Sequence, residues 1–186
     1  MRGRTFIRQI DLQHRAQPIL EKIVRNCQET AYLAMFQEAT VVYLGVVETE
    51  KPVRVVSRIG ARLPLYCTAS GKLRLASLTE EERQAILARG ERRALTPQTI
   101  TDLKQLQGEL ERIAQAGFAV DHEECEPGVR CVAAPVRDFT GRVVGALVIS
   151  GPNVRLPDDR IDDELAPLVK QSAGELSARL GYSPGA

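Results

Sequence analysis

The sequence predicts an α+β domain built around an antiparallel sheet, and three observations lead there. Strand-like and helical segments come in runs rather than in alternation, in the order helix, three strands, three helices, three strands, helix. Two pairs of those strands are joined by tight turns, Gln37-Glu-Ala-Thr40 and Asp138-Phe-Thr-Gly141. No Gly/Ser/Pro-rich linker interrupts the middle, so the 186 residues read as one unit.

Each element has a local reason. Ile10, Ala16, Ile19, Leu20, Ile23, Val24 and Cys27 recur at spacings of three and four, which predicts a helix over 10–30 that bends or restarts near Pro18. Ala31–Phe36 and Val41–Glu48 are rich in β-branched and aromatic residues and predict the first hairpin. Val53–Ser57, opened by Pro52, predicts a third short strand. Thr68 is suited to cap a helix through Ala69, Leu73, Leu75 and Ala76. Thr79 caps the next, to about Arg89, with Glu80, Glu81 and Glu82 against the positive end of its dipole. Thr96–Ala116 predicts a longer helix with Leu103, Leu106, Leu110 and Ile113 on one side, stopped by Gly117. Phe118–His122, Cys131–Arg137 and Arg142–Gly151 complete a set of six strands, and an amphipathic helix to Leu180 closes the chain.

Bulk properties exclude several classes. A formal charge of +1 with 26% charged residues marks no nucleic-acid-binding surface, and only Arg2, Arg4 and Arg8 cluster near the start. The opening MRGRTFIRQIDLQHR is too polar for a signal peptide or a membrane span. Four cysteines (Cys27, Cys67, Cys125 and Cys131) without a secretory signal point to the cytoplasm and reduced thiols.

The segments LPLYCTASGKLRLASL, GFAVDHEECEPGVRCVAAPVRD and GALVISGP together resemble the effector-sensing domain of the IclR family of bacterial transcription regulators. The opening DLQHRAQPIL helix and the VVYLGVVETEKPVRV hairpin resemble the same family, so the likeness runs from about Leu12 to Gly181. It implies a sheet of about six antiparallel strands flanked by helices, similar to GAF and PAS sensor domains, and homodimers or homotetramers. It also implies a winged helix-turn-helix ahead of the domain. Only nine residues precede the first predicted helix, so that DNA-reading head is expected to be missing here. The expected organisation is an N-terminal remnant at 1–9, an effector-binding domain at 10–182 and a tail at 183–186.

In that family a small carboxylate-bearing effector sits between the sheet and the helix that follows TASGK. The chemistry agrees, because amides at a helix start lack intrahelical acceptors and face the positive dipole end. The resemblance places Ser70 and Gly71 there, Gly71 allowing close approach to the main chain. Asp121 and Cys131 match effector-contacting positions. Strand alternation puts Val129 and Cys131 on one face, and Val148 with Ser150 likewise, with Leu63 and Leu65 adding apolar contact. Some relatives carry a hydroxyl where this chain has Val148, which favours an effector with an apolar body, such as an aromatic or branched carboxylate. Tyr66 stands where relatives often have His.

Other readings remain to be weighed. His122, Cys125 and Cys131 form an H-x2-C-x5-C run, with Cys67 available as a fourth zinc ligand, but this is not ribbon or knuckle spacing. Neither a cofactor nor a metal is therefore expected. A Cys131 nucleophile with His122 as base is disfavoured, since neighbouring Asp121 and His122 diverge in an extended segment and His14 has no acidic partner in a recognisable motif. No P-loop, dinucleotide fingerprint or nucleophile elbow occurs, so the chain does not read as an enzyme. The remaining alternative is a pure oligomerisation module without a ligand.

Overall fold

In a computed structural model, residues 2–56 and 59–184 are described, with the side chains of residues 1–10 left aside. The expected Ile10 contact and the Arg2, Arg4 and Arg8 cluster therefore fall outside the described side chains, as does Ser57.

Helix α1 (Arg2–Cys27) is followed by the hairpin β1 (Thr30–Gln37) and β2 (Thr40–Val47), then by β3 (Arg62–Pro64). Three helices follow, α2 (Ala69–Ala76), α3 (Glu80–Leu87) and α4 (Leu103–Ala116). Strands β4 (Ala119–His122), β5 (Val129–Arg137) and β6 (Val143–Pro152) complete one six-stranded sheet in the order β3-β2-β1-β6-β5-β4. Every neighbouring pair is antiparallel. The closing helix has a first turn α5 (Asp158–Arg160), a π-helical stretch Ile161–Leu165 and a long part α6 (Ala166–Arg179).

The sheet separates two apolar cores. On one face α1 and α6 pack Ile19, Ile23, Val169 and Leu176 onto Leu33, Val132, Leu147 and Ile149. On the other, Leu73 of α2 and Leu106, Leu110 and Ile113 of α4 cover Tyr32, Ala133 and Val148. The alternation that sends Leu147 to one core and Val148 to the other is the pleat itself.

Three elements differ from expectation. Helix α1 is a single helix containing Pro18. Val53–Val56 forms no strand among the described residues; Arg62–Pro64 takes the edge of β2 by pairing with Thr40–Val42. Helix α4 begins at Leu103 because Asp102 accepts the Gln105 amide as cap. Thr96 and Thr99 instead send their hydroxyls to the carbonyls of Glu123 and Glu124, at 2.7 and 2.6 Å, pinning the turn after β4. As a result Leu103 lies exposed, while Leu106, Leu110 and Ile113 are buried as expected.

Candidate functional site

Four side chains fall into one row across four strands. Asp121 pairs with Cys131, Cys131 with Ser150, and Ser150 with Thr30, so all project from the same face. The Cys131 thiol donates to Ser150 Oγ at 3.3 Å. Asp121 ends the useful part of β4 by accepting at Oδ1 from the amides of Glu124 (2.7 Å) and Cys125 (3.4 Å). That bond shapes the acidic turn, in which Glu123 adopts a positive φ of 62°.

Above the row lies the start of α2. Thr68 is an extended cap whose hydroxyl accepts from the Gly71 amide. Lys72 N–H in turn bonds to Thr68 O, so Ala69 and Ser70 are the first-turn amides left without an intrahelical acceptor. The buried Ser70 hydroxyl has no hydrogen-bond partner. Gly71 also meets a packing demand. A Cβ there would lie 2.3 Å from the Leu65 carbonyl oxygen and 2.5 Å from Thr68 Oγ1, so it is the Leu65 main chain that fills the space.

Between row and helix is a cavity of about 40 Å³. Asp121, Val129, Cys131 and Ser150 form its sheet wall together with Tyr32 and Tyr43. Thr68 and Leu63 close one side, Cys125 and Glu126 of the acidic turn another, and Val55 and Val56 a third. The two tyrosine rings stack at 4.6 Å between centroids. Five of the nine expected side chains thus reach the cavity: Leu63, Asp121, Val129, Cys131 and Ser150. Val148 stays in the core beneath, Leu65 is buried behind the β3–α2 connection, and Ser70 and Gly71 sit within the first turn of α2 without lining the cavity.

The electrostatics are unusual for an anion site. Burial, reinforced by the Glu124 charge, raises the Asp121 carboxyl to about 7 despite its two amide donors. Burial also pushes the Tyr43 phenol and the Cys131 thiol well above their ordinary values. Both therefore remain neutral hydrogen-bond donors at physiological pH.

Lys72 was hidden in the TASGK motif as an ordinary helix residue. It is fully buried and bridges Glu124 Oε1 at 2.5 Å and Glu109 Oε1 at 3.0 Å, locking α2 to α4 and to the acidic turn. Burial raises Glu124 in spite of Lys72. Glu109 resists its own burial because Arg112 and Lys72 both bond to it, and it falls to about 2. No side-chain pattern near residue 72 announces partners 37 and 52 positions away.

The suggested zinc run does not converge. His122 alternates to the opposite face from Asp121, and its Nδ1 lies 3.9 Å from Asp158. The Cys67 thiol hydrogen-bonds to Cys125, which with burial raises it. No group of three His, Cys, Asp or Glu able to hold a metal occurs among the described residues. The same alternation separates His122 from Cys131 and removes the nucleophile–base pair. No described helix is long and apolar enough to cross a membrane.

Comparison with known proteins gives a consistent result. Residues 4–178 match the family model described as the bacterial transcriptional regulator IclR C-terminal domain. The HTH-type transcriptional repressor AllR of Salmonella typhi is 36% identical over 182 residues, 98% of this chain and 66% of AllR. This chain therefore spans about two thirds of that relative's length. The crystal structure of the Thermotoga maritima IclR matches with a TM-score of 0.89 and 36% identity, over 97% of this chain and 72% of that one. A double mutant of the PobR inducer-binding domain from Acinetobacter, in complex with 3-hydroxybenzoic acid, matches with a TM-score of 0.82 and 27% identity. That match covers 89% of this chain and 97% of the PobR chain.

Proposed function

The chain belongs to the IclR family of bacterial transcriptional regulators, whose members are not enzymes, and is an effector-binding domain of that family; from this premise we propose that it senses a small organic acid with an aromatic or branched body. The observation that carries the reading is the convergence of Asp121, Cys131 and Ser150 with Thr68, the cap of α2, around one cavity. Neutral donors from Tyr43, Cys131 and Ser150 and apolar contact from Leu63 and Val129 suit a ligand with one polar end and one greasy end. The orphaned Ser70 hydroxyl, together with the amides of Ala69 and Ser70, supports an anionic partner at the helix start. The 3-hydroxybenzoic acid bound by the PobR relative is of this type.

A cavity of about 40 Å³ holds only a few waters, so a ring enters by displacing the wall made by Val55 and Val56. In a complete regulator, occupancy would act by favouring one dimer or tetramer arrangement, and so one spacing of the DNA-reading heads, in the cytoplasm. A thermal-shift screen with benzoate, 3-hydroxybenzoate, branched 2-oxoacids and two-carbon oxoacids tests the reading. Ligand at about a hundred times its Kd adds about 2.7 kcal/mol and moves the melting point by several degrees. The aromatic and branched acids should do so. Stabilisation by two-carbon oxoacids alone would overturn the proposal.

A further inference from the structure

Two of the four cysteines meet beside the cavity. Cys67 lies in the connection from β3 to α2, and Cys125 lies in the acidic turn between β4 and β5. The Cys67 thiol hydrogen-bonds to Cys125, and both are thiols rather than a disulfide. Cys67 is completely buried, whereas Cys125 is half-buried and lines the cavity. Neither belongs to a helix or a strand, so each can shift slightly without breaking a helix or sheet hydrogen bond. The other two cysteines are placed differently. Cys27 packs in the α1 core on the far face of the sheet, and Cys131 donates to Ser150.

We propose that Cys67 and Cys125 are a redox modification site, joined into a reversible disulfide by a two-electron oxidant of the hydroperoxide class, and that this bond fixes the gap between two walls of the cavity. The site stands on the thiol contact; its effect on ligand rests on the organic-acid reading above. The Cys125 sulfur attacks one peroxide oxygen, so an S–O bond forms and the O–O bond breaks. Its thiol proton leaves with the departing oxygen as water, and Cys125 becomes a sulfenic acid. The Cys67 sulfur then attacks the Cys125 sulfur, so the S–S bond forms and the S–O bond breaks. The Cys67 proton leaves with that oxygen as a second water. Two thiols thereby lose two electrons and two protons, and hydrogen peroxide is reduced to two waters. Exposure sets the order, since Cys125 is the partner within reach of solvent and of the cavity.

The two segments joined in this way hold different sides of the cavity. Leu63 and Thr68 come from the strand and connection that carry Cys67, while Cys125 and Glu126 come from the acidic turn. A disulfide replaces a contact between thiols by a bond of about 2.05 Å, which draws turn and connection together. It adds a covalent tie one residue beyond Glu124, where the buried Lys72 bridge already holds the turn to α2. A cavity of about 40 Å³ takes an aromatic ring only by widening, and a tie between two of its sides resists that widening. Oxidation should therefore stiffen the domain and blunt its response to effector. In a reducing compartment such a bond is transient, so it reports exposure to oxidant rather than serving as a permanent brace.

The test treats the whole chain with hydrogen peroxide and then reverses the treatment with dithiothreitol. Peptide mass spectrometry without reduction should find Cys67 joined to Cys125, an arm that needs neither a variant nor a ligand. Thiols titrated in denaturant should fall from four to about half that number and recover on reduction. In Cys67→Ser, Cys125 should stop at a sulfenic acid that dimedone traps. The oxidised chain should melt several degrees higher than the reduced one, because the bond closes a long loop. Benzoate and 3-hydroxybenzoate should stabilise the reduced form, and their melting shift should shrink by about threefold or more on oxidation. A peptide linking a different pair, or no link within the chain, overturns the modification site and leaves the sensor reading standing. Equal ligand shifts in the two forms overturn the control of the cavity. Probes that stabilise neither form overturn the sensor reading and that control with it, while the mapped link alone decides the modification site.

Discussion

Lys72→Met is the most searching perturbation of the scaffold beneath the cavity. It preserves the unbranched stem and removes only the ammonium. In the wild type that ammonium bonds to Glu124 Oε1 at 2.5 Å and Glu109 Oε1 at 3.0 Å, with Lys72 and Glu124 both essentially sealed from solvent. Removing one partner of a buried pair costs about 3–5 kcal/mol, because a charge is left without compensation. Glu109 keeps Arg112 at 2.8 and 3.0 Å, so the loss concentrates on Glu124, whose Oε2 already has no partner. The lower end of that range, about 3 kcal/mol, is the expected outcome, equivalent to a melting-point drop of about 6–12 °C in a chain this long. The sign of the pH dependence is diagnostic. Glu124 is already raised by burial in the wild type, and without Lys72 it rises further, so it takes up a proton on mild acidification. The penalty of Lys72→Met should therefore shrink as pH falls from about 7 to about 4.5, and Lys72→Met with Glu124→Gln should recover most of it. Urea unfolding at both pH values measures this. A loss below about 1 kcal/mol at neutral pH, or an equal loss at both, would refute the reasoning.

Further outcomes follow from other residues. Asp121 is raised from 3.8 to about 7, so its protonated form favours the fold: stability is fully present below about 3.8 and lost progressively as pH rises to about 7, on the order of 4 kcal/mol at most. Asp121→Asn should abolish this decline, so its melting point should overtake the wild type above neutrality in a pH series of thermal melts. Gly71→Ala would drive a Cβ to 2.3 Å from the Leu65 carbonyl oxygen, a clash with main chain that should cost about 2–4 kcal/mol by denaturant unfolding. Glu29→Gln removes the charge held by Arg155 at 2.7 Å on both oxygens, by Arg160 at 3.2 Å and by Lys51 at 3.5 Å. Since Glu29 is completely buried, a loss of about 3 kcal/mol and faster amide exchange at the α1–β1 junction are expected, measurable by hydrogen-exchange mass spectrometry.

Much of this architecture is legible in local chemistry. Thr68 and Thr79 act as the caps their positions suggest, the latter in a full capping box with Glu82. Gly117 and Gly141 take the left-handed backbone that ends α4 and turns β5 into β6. The pleat places Cys131 and Ser150 on one face as strand alternation requires. The misreadings have one source, which is that local signals compete for distant partners. Val53–Val56 has strand composition, but β2 offers its edge to Arg62–Pro64. Thr96 followed by Pro97 imitates a helix start, yet its hydroxyl goes to a carbonyl 27 residues on. Tyr32 and Tyr43 enter the cavity wall only because a register shift between Leu33 and Ala34 brings the hairpin rings together. No periodicity reveals such a shift. The acids of this region were visible one by one, whereas the buried bridge from Lys72 to Glu124 and Glu109 became apparent only in the fold.

The placement of β1 also bears on how the molecule is made. Thr30–Gln37 leaves the ribosome well before β6 but lies between β2 and β6, with Ala31 paired to Ile149. At about 5–20 residues per second, its second neighbour arrives on the order of ten seconds later. Throughout that wait a hairpin bearing Tyr32, Leu33, Met35 and Phe36 presents one unpaired, sticky border to the cell. Nascent chains halted before Val143 should therefore be prime clients of ribosome-associated chaperones, and release from that custody should coincide with emergence of the final strand.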